Sequence, residues 1–153
     1  MVYQWKEARR IKANPNEAAK VMNDLAERDA LTAENLIEVS KPEDAPLHND
    51  FEWDNNIAAD EYRKVQARRI ISALVVVPDE YIKTSEPVRA YFKIEETGNA
   101  YSQLTAIIES PTKKELLLKT ALRELDAFEK KYQTLEELTN VFKAIDEVKK
   151  LTA

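Results

Sequence analysis

The sequence predicts an α+β fold: an N-terminal three-helix unit, a small antiparallel β-sheet and a C-terminal helical hairpin. Three observations carry this reading. Apolar residues recur at helical spacing up to Ile71, the pattern then changes to β-branched runs and alternation, and helical spacing returns after Ser110-Pro111.

Asn14-Pro15 opens the first helix. The asparagine side chain can accept a first-turn N–H, proline suits a position that needs no donor, and Glu17 is placed as a capping-box partner. Ala18, Val21, Met22 and Leu25 form its apolar stripe. In "DALTAENLIEV" a turn leads into a short second helix capped by Thr32, with Leu36, Ile37 and Val39 on its apolar side. Pro42 and Pro46 bracket a loop, because the residue before a proline is pushed out of helical angles. A third helix is expected from Asp54, its cap, to about Ile71, with Ala58, Tyr62, Val65 and Ile70 inward.

"ALVVV" is β-branched and stops at Pro78. "PVRAYFKIEE" alternates as one half-buried strand, with Val88, Ala90, Phe92 and Ile94 on one face and Arg89, Tyr91 and Lys93 on the other. "ETGNA" is the natural turn, and "YSQL" supplies a third short strand. Ser110-Pro111 repeats the cap-plus-proline signature and opens a helix to about Lys131, with Leu118, Leu122, Leu125 and Phe128 inward. Thr134 and Glu137 have capping-box spacing, which implies a break near Gln133. Leu138, Val141, Ile145 and Val148 mark the last helix at 3-4-3 spacing. About two heptads suit packing of the last two helices on each other better than an intermolecular seam. The composition of elements changes at 71/72, dividing a helical unit (1–71) from sheet plus helices (72–153) within one compact domain.

The chain has 153 residues, 44% hydrophobic and 33% charged, enough apolar surface for a core and too much for disorder. The longest apolar run, Ile70–Val77, is far short of a membrane span, and "MVYQWKEARRIK" is not followed by a signal-peptide core. No membrane association and a cytoplasmic location are expected. Cysteine is absent, which excludes disulfides, thiolate zinc sites and a cysteine nucleophile. Net charge is −5: residues 1–80 carry eleven Lys/Arg and sixteen Asp/Glu, residues 81–153 twelve of each. Neither half is a strongly basic domain, so nucleic-acid contact would need a local patch. A single glycine, Gly98, argues against the Gly-rich phosphate loops, which need at least two.

Two stretches carry candidate chemistry. In "PLHNDFEWD" (46–54), an extended backbone would put His48, Asp50, Glu52 and Asp54 on one side and Phe51 and Trp53 on the other. Alternate residues of a strand lie roughly 6.5 Å apart, too far for neighbours to converge on one ion. Calcium loops need a turn glycine, and hydrolytic zinc sites typically recruit several histidines where this chain has one. A metal-dependent hydrolase built on His48 is therefore the weakest reading; no catalytic residue, metal or cofactor is expected. An anchor-and-cap role is favoured, with Trp53 packing back near Ala58 as a hydrophobic staple. His48, Asp50, Phe51, Glu52 and Trp53 also make a candidate surface for a protein partner.

The second stretch is basic. Arg63, Lys64, Arg68 and Arg69 lie on the third helix, and Lys6, Arg9, Arg10 and Lys12 near the N-terminus, with Tyr3, Trp5 and Tyr62 close in sequence. If the clusters met, cations for phosphates and aromatics for bases would share one surface of a loosely helix-turn-helix arrangement. Asp60 and Glu61, one helical turn before Lys64, would instead make an ordinary solvated face.

The run "LTAENLIEVSKPEDAPLHNDFEWDNNIAADEYRKVQARRII", with "PVRAYF" and "ALRELDAFEKKYQTLEEL", resembles a family of small bacteriophage and prophage proteins of unassigned activity. Its most specific residues here are Pro46, Leu47, His48, Phe51, Glu52, Trp53, Asp54, Tyr62, Arg63, Gln66, Ala67 and Arg68; Asn55 stands where a second acidic residue often follows. The resemblance implies a mobile-element origin and a bacterial host cytoplasm. The leading expectation is a non-enzymatic accessory protein that contacts DNA or RNA through Arg9, Arg10, Lys12, Arg63, Lys64, Arg68 and Arg69, as a homodimer or larger assembly. An inhibitor or adaptor that binds a host or phage protein is the alternative.

Overall fold

Asn14 does what its chemistry suggests: its side-chain oxygen accepts the N–H groups of Asn16 (2.9 Å) and Glu17 (3.3 Å), and α1 (Pro15–Glu27) follows. Glu17 pairs forward with Lys20 at 2.8 Å. In this computed structural model, which describes residues 1–6, 10–54, 57–94 and 98–152, the chain forms six α-helices and two small antiparallel sheets. α1 ends in a tight reversal, in which Asp29 N–H bonds to the Ala26 carbonyl and Ala30 N–H to the Leu25 carbonyl. Such a turn needs a left-handed residue, and Asp29 (φ 51°) supplies it in place of glycine. Thr32 then caps α2 (Ala33–Ser40) through Asn35 N–H, with Leu36 and Ile37 buried and Val39 exposed.

α3 (Ile57–Ala73) begins three residues after Asp54, and residues 55–56 lie outside the described set. Of the expected inward residues, Ile70 is buried and Tyr62 and Val65 are not. Tyr62 and Val65 are 51% and 47% exposed, while Arg63, Ala67, Ile70 and Ile71 are buried; the Ala58 side chain lies outside the described residues. Apolar residues occur all round this helix, so their spacing does not single out a face. The contact with α2 and the core decides it.

α3 runs directly into β2 (Leu74–Val76). The N-terminal segment, for which the sequence offers only a charge pattern, forms β1 (Tyr3–Trp5) beside it, in register Tyr3↔Val76 and Trp5↔Leu74. β3 (Val88–Arg89) closes the other edge. The alternation read through 88–94 breaks at Ala90: β3 belongs to this first sheet, whereas β4 (Tyr91–Lys93) pairs with β5 (Tyr101–Gln103) in the second. Ala90 and Tyr91 are consequently both buried, where strict alternation would have turned Tyr91 outward. Gly98, with φ +62°, sits in the turn between β4 and β5; residues 95–97 of that turn lie outside the described set.

α4 (Leu104–Glu109) leads to Ser110, whose hydroxyl accepts Lys113 N–H to cap α5 (Pro111–Tyr132). The break near Gln133 occurs, and a short 3-10 turn at Glu136–Leu138 precedes α6 (Thr139–Thr152); Leu135, rather than Thr134, stands at the start of that turn. Phe128 meets Phe142 edge-on (6.4 Å between centroids), Asp126 pairs with Lys149, and Ile145 is buried. Of the expected inward stripe of α5, Leu122 is half-buried and the rest is open. Leu118, Leu125 and Phe128, with Val141 and Val148 of α6, are 37–44% exposed, since one neighbouring helix cannot cover a whole apolar face. No described helix is long and apolar enough to cross a membrane.

Candidate nucleic-acid interface

The loop 46–54 is not extended. His48–Asp50 forms a 3-10 turn, which dissolves the two-sided alternation and gives each side chain its own partner. His48 donates from Nδ1 to the Ser40 carbonyl (3.0 Å) and stacks on Trp53 at 5.1 Å and 13°. Trp53 Nε1–H returns a bond to the His48 carbonyl at 2.8 Å. The Asp50 carboxylate accepts the N–H groups of Lys12 (2.6 Å) and Ala13 (3.0 Å), which holds the N-terminal segment to this loop. Phe51 is buried beside Trp53, and Glu52 accepts the N–H of Asp54 at 3.3 Å. Most of the partner-binding candidates are thus occupied inside the protein. Among the described residues, no group of three or more His, Asp or Glu is placed to hold a metal ion.

Arg63 belongs to the same internal cluster. It is 6% exposed, lies over the Trp53 ring (5.7 Å), donates to the carbonyls of Glu52 (2.8 Å) and Asp54 (3.4 Å) and pairs with Asp60. A cation held this way faces no solvent phosphate, so Arg63 leaves the expected basic surface. Lys64 is neutralised by Glu61 at 3.0 Å, and this hydrogen bond raises its pKa. The exposed Lys12 contributes its backbone N–H to Asp50, and Arg9 lies outside the described residues.

Arg10, Arg68 and Arg69 remain exposed. Arg10 and Arg69 do come together: with Lys6, Ser72 and Ala73 they line an open cleft of about 320 Å³, and none of these described residues is a carboxylate. The join is made by β1–β2 pairing and by Lys6 N–H bonding to the Ala73 carbonyl at 2.8 Å. Arg68 points elsewhere, into a small cleft of about 60 Å³ with Glu34, Lys93, Asn99 and Tyr101.

A larger cleft, about 600 Å³, opens between the β4–β5 ribbon and α5. Arg89, Phe92, Lys93, Tyr101, Arg123 and Glu124 are its functional lining, with Leu117, Thr120 and Ala121 from α5. Sequence reading assigns Arg89 and Lys93 only to the solvent side of a strand. That they border an aromatic cleft depends on α5, which begins 18 residues after Lys93 and folds back across the ribbon. Arg89 lies over the Phe92 ring at 5.4 Å and donates to Ser72 Oγ at 3.4 Å, so the large cleft adjoins the Arg10–Arg69 cleft through Ser72. No family model, curated protein or solved structure matches the chain.

Proposed function

We propose that this is a non-enzymatic accessory protein of phage or prophage origin that contacts nucleic acid through a basic surface built from the N-terminal segment and α3. The observation that carries the reading is the cleft lined by Lys6, Arg10 and Arg69. Three cations from segments about sixty residues apart converge, and none of the described residues lining the cleft is a carboxylate. Several cations elsewhere on the helices are matched locally, as in Lys20–Glu17, Arg28–Asp24, Lys41–Glu38 and Lys119–Glu115. Like charges held together repel one another, and a phosphate chain relieves that repulsion while releasing its condensed counterions.

In this reading α1–α3 form a three-helix unit that presents Arg69, and α5–α6 form a helical hairpin that joins two copies. Support for the dimer comes from charge as well as the open apolar stripe. Residues 111–123 and 148–152 carry six Lys/Arg and one Glu, whereas residues 124–147 carry seven Asp/Glu and three Lys. Two hairpins packed antiparallel set each acidic end on the partner's basic end and cover Leu118, Leu125 and Val148.

The test is an electrophoretic mobility shift with short DNA and RNA fragments. Retardation at low salt that weakens steeply as salt rises, and is reduced in Arg10→Ala with Arg69→Ala, is the expected result. Absence of retardation of either nucleic acid at low salt overturns the proposal.

A further inference from the structure

We infer that the cleft between the β4–β5 ribbon and α5 is a binding site for single-stranded nucleic acid, with bases stacked on its aromatic and guanidinium planes. The inference rests on the nucleic-acid reading above and extends it to a strand type and a second set of residues.

Single strands are recognised without sequence preference by two features used together: cations that follow the backbone and flat π-faces on which unpaired bases lie. This cleft combines them. Phe92 and Tyr101 are half-buried and both line the recess. Arg89, parallel to this function, already rides on Phe92, and both of its partners, the Phe92 ring and the Ser72 hydroxyl, are neutral. Its charge therefore remains available to an anion. Lys93 stands directly opposite Tyr101 in the ribbon register, is exposed, and has no carboxylate partner among the described residues. Arg123 adds a third cation, and Glu124 is the one carboxylate among the described lining residues.

Continuity favours a strand over an isolated nucleotide. Ser72 joins this cleft to the Arg10–Arg69 cleft at one end. At the other, Lys93 and Tyr101 also line the small cleft that holds Arg68. The cations thus follow a path that passes through a recess of about 600 Å³, a size that admits unstacked bases. A duplex, whose bases are paired inside, cannot offer a face to Phe92 or Tyr101, and the described residues that line the recess form a hollow rather than a ridge that would enter a groove.

Fluorescence anisotropy with a labelled single strand of about 12 nucleotides, the matching duplex and a mononucleotide, all at one low salt concentration, tests the assignment. The single strand should bind about tenfold or more tighter than the duplex. Tyr101→Leu should weaken the single strand about tenfold while leaving the duplex unchanged. The exposed variant Lys93→Gln, which removes charge without touching the core, should reduce the salt slope by about 0.7. Equal or tighter binding of the duplex, with both variants silent, overturns the strand assignment and leaves the basic-surface reading standing. A mononucleotide that binds as tightly as the oligonucleotide also overturns it, because the path beyond the cleft then adds nothing. Failure of every nucleic acid to bind removes both readings together.

Discussion

Arg63 looks in sequence like one more cation on a basic helix, and its place in the fold is the opposite. Its guanidinium satisfies two loop carbonyls, lies over Trp53 and pairs with Asp60, so it fastens the 46–54 loop to α3. Removing it leaves those part-buried carbonyls without their donor. Arg63→Ala is expected to cost about 2–4 kcal/mol of unfolding free energy, read from urea denaturation. Lys64→Ala, one residue away and paired with the exposed Glu61, should have a much smaller effect. Equal effects of the two would show that Arg63 is not the fastener. Asp50 tells a similar story on a smaller scale: a carboxylate with no assignable chemistry in sequence holds two backbone N–H groups at the start of the helical region. These roles were illegible because the partners lie outside the local segment, between 9 and 38 positions away for Arg63 and Asp50 bonds to backbone.

Among the elements, caps were the most legible feature. Asn14, Thr32 and Ser110 all start helices through side-chain acceptance of a first-turn N–H, an interaction confined to three residues. Faces were less so. α3 carries apolar residues all round, and α5 has a clear stripe that the fold leaves largely uncovered. That stripe leads to a prediction for the pair α5–α6. Sedimentation at rising concentration should show a dimer whose association weakens with added salt, and Leu125→Glu should leave a folded monomer. A chain that remains monomeric at high concentration and low salt would contradict the antiparallel pairing. The single strand expected over 88–94 becomes two because Ala90 is where the chain leaves one sheet for the other. Alternation reports which residues are flanked by water, and it cannot report a change of partner strand.

At the scale of the molecule, distant segments are tied by a few polar contacts inside the apolar core. Tyr91 is the clearest, its hydroxyl donating to Asn23 Oδ1 at 2.7 Å across 68 residues. Burial pushes this phenol far above its ordinary pKa, with Tyr3 adding to the shift. The folded state therefore keeps Tyr91 protonated where the unfolded chain would ionise. Its contribution is fully present below pH about 10 and is lost progressively above it, by up to about 1.4 kcal/mol per pH unit. A spectroscopic titration of phenolate should show one of the six tyrosines ionising only as the protein unfolds, and Tyr91→Phe should lack that late step. The sequence by itself determined the mixed helical and β character, the caps Asn14, Thr32 and Ser110, the break near Gln133 and the presence of cations at both Arg10 and Arg69, because each depends on neighbours within a few residues. Only the tertiary structure decided that β1 pairs with β2, that Arg63 turns inward, and that Lys6, Arg10 and Arg69 share one cleft while Arg89, Phe92 and Tyr101 border another. Those outcomes depend on which distant surfaces meet, and side-chain periodicity carries no information about the identity of the partner.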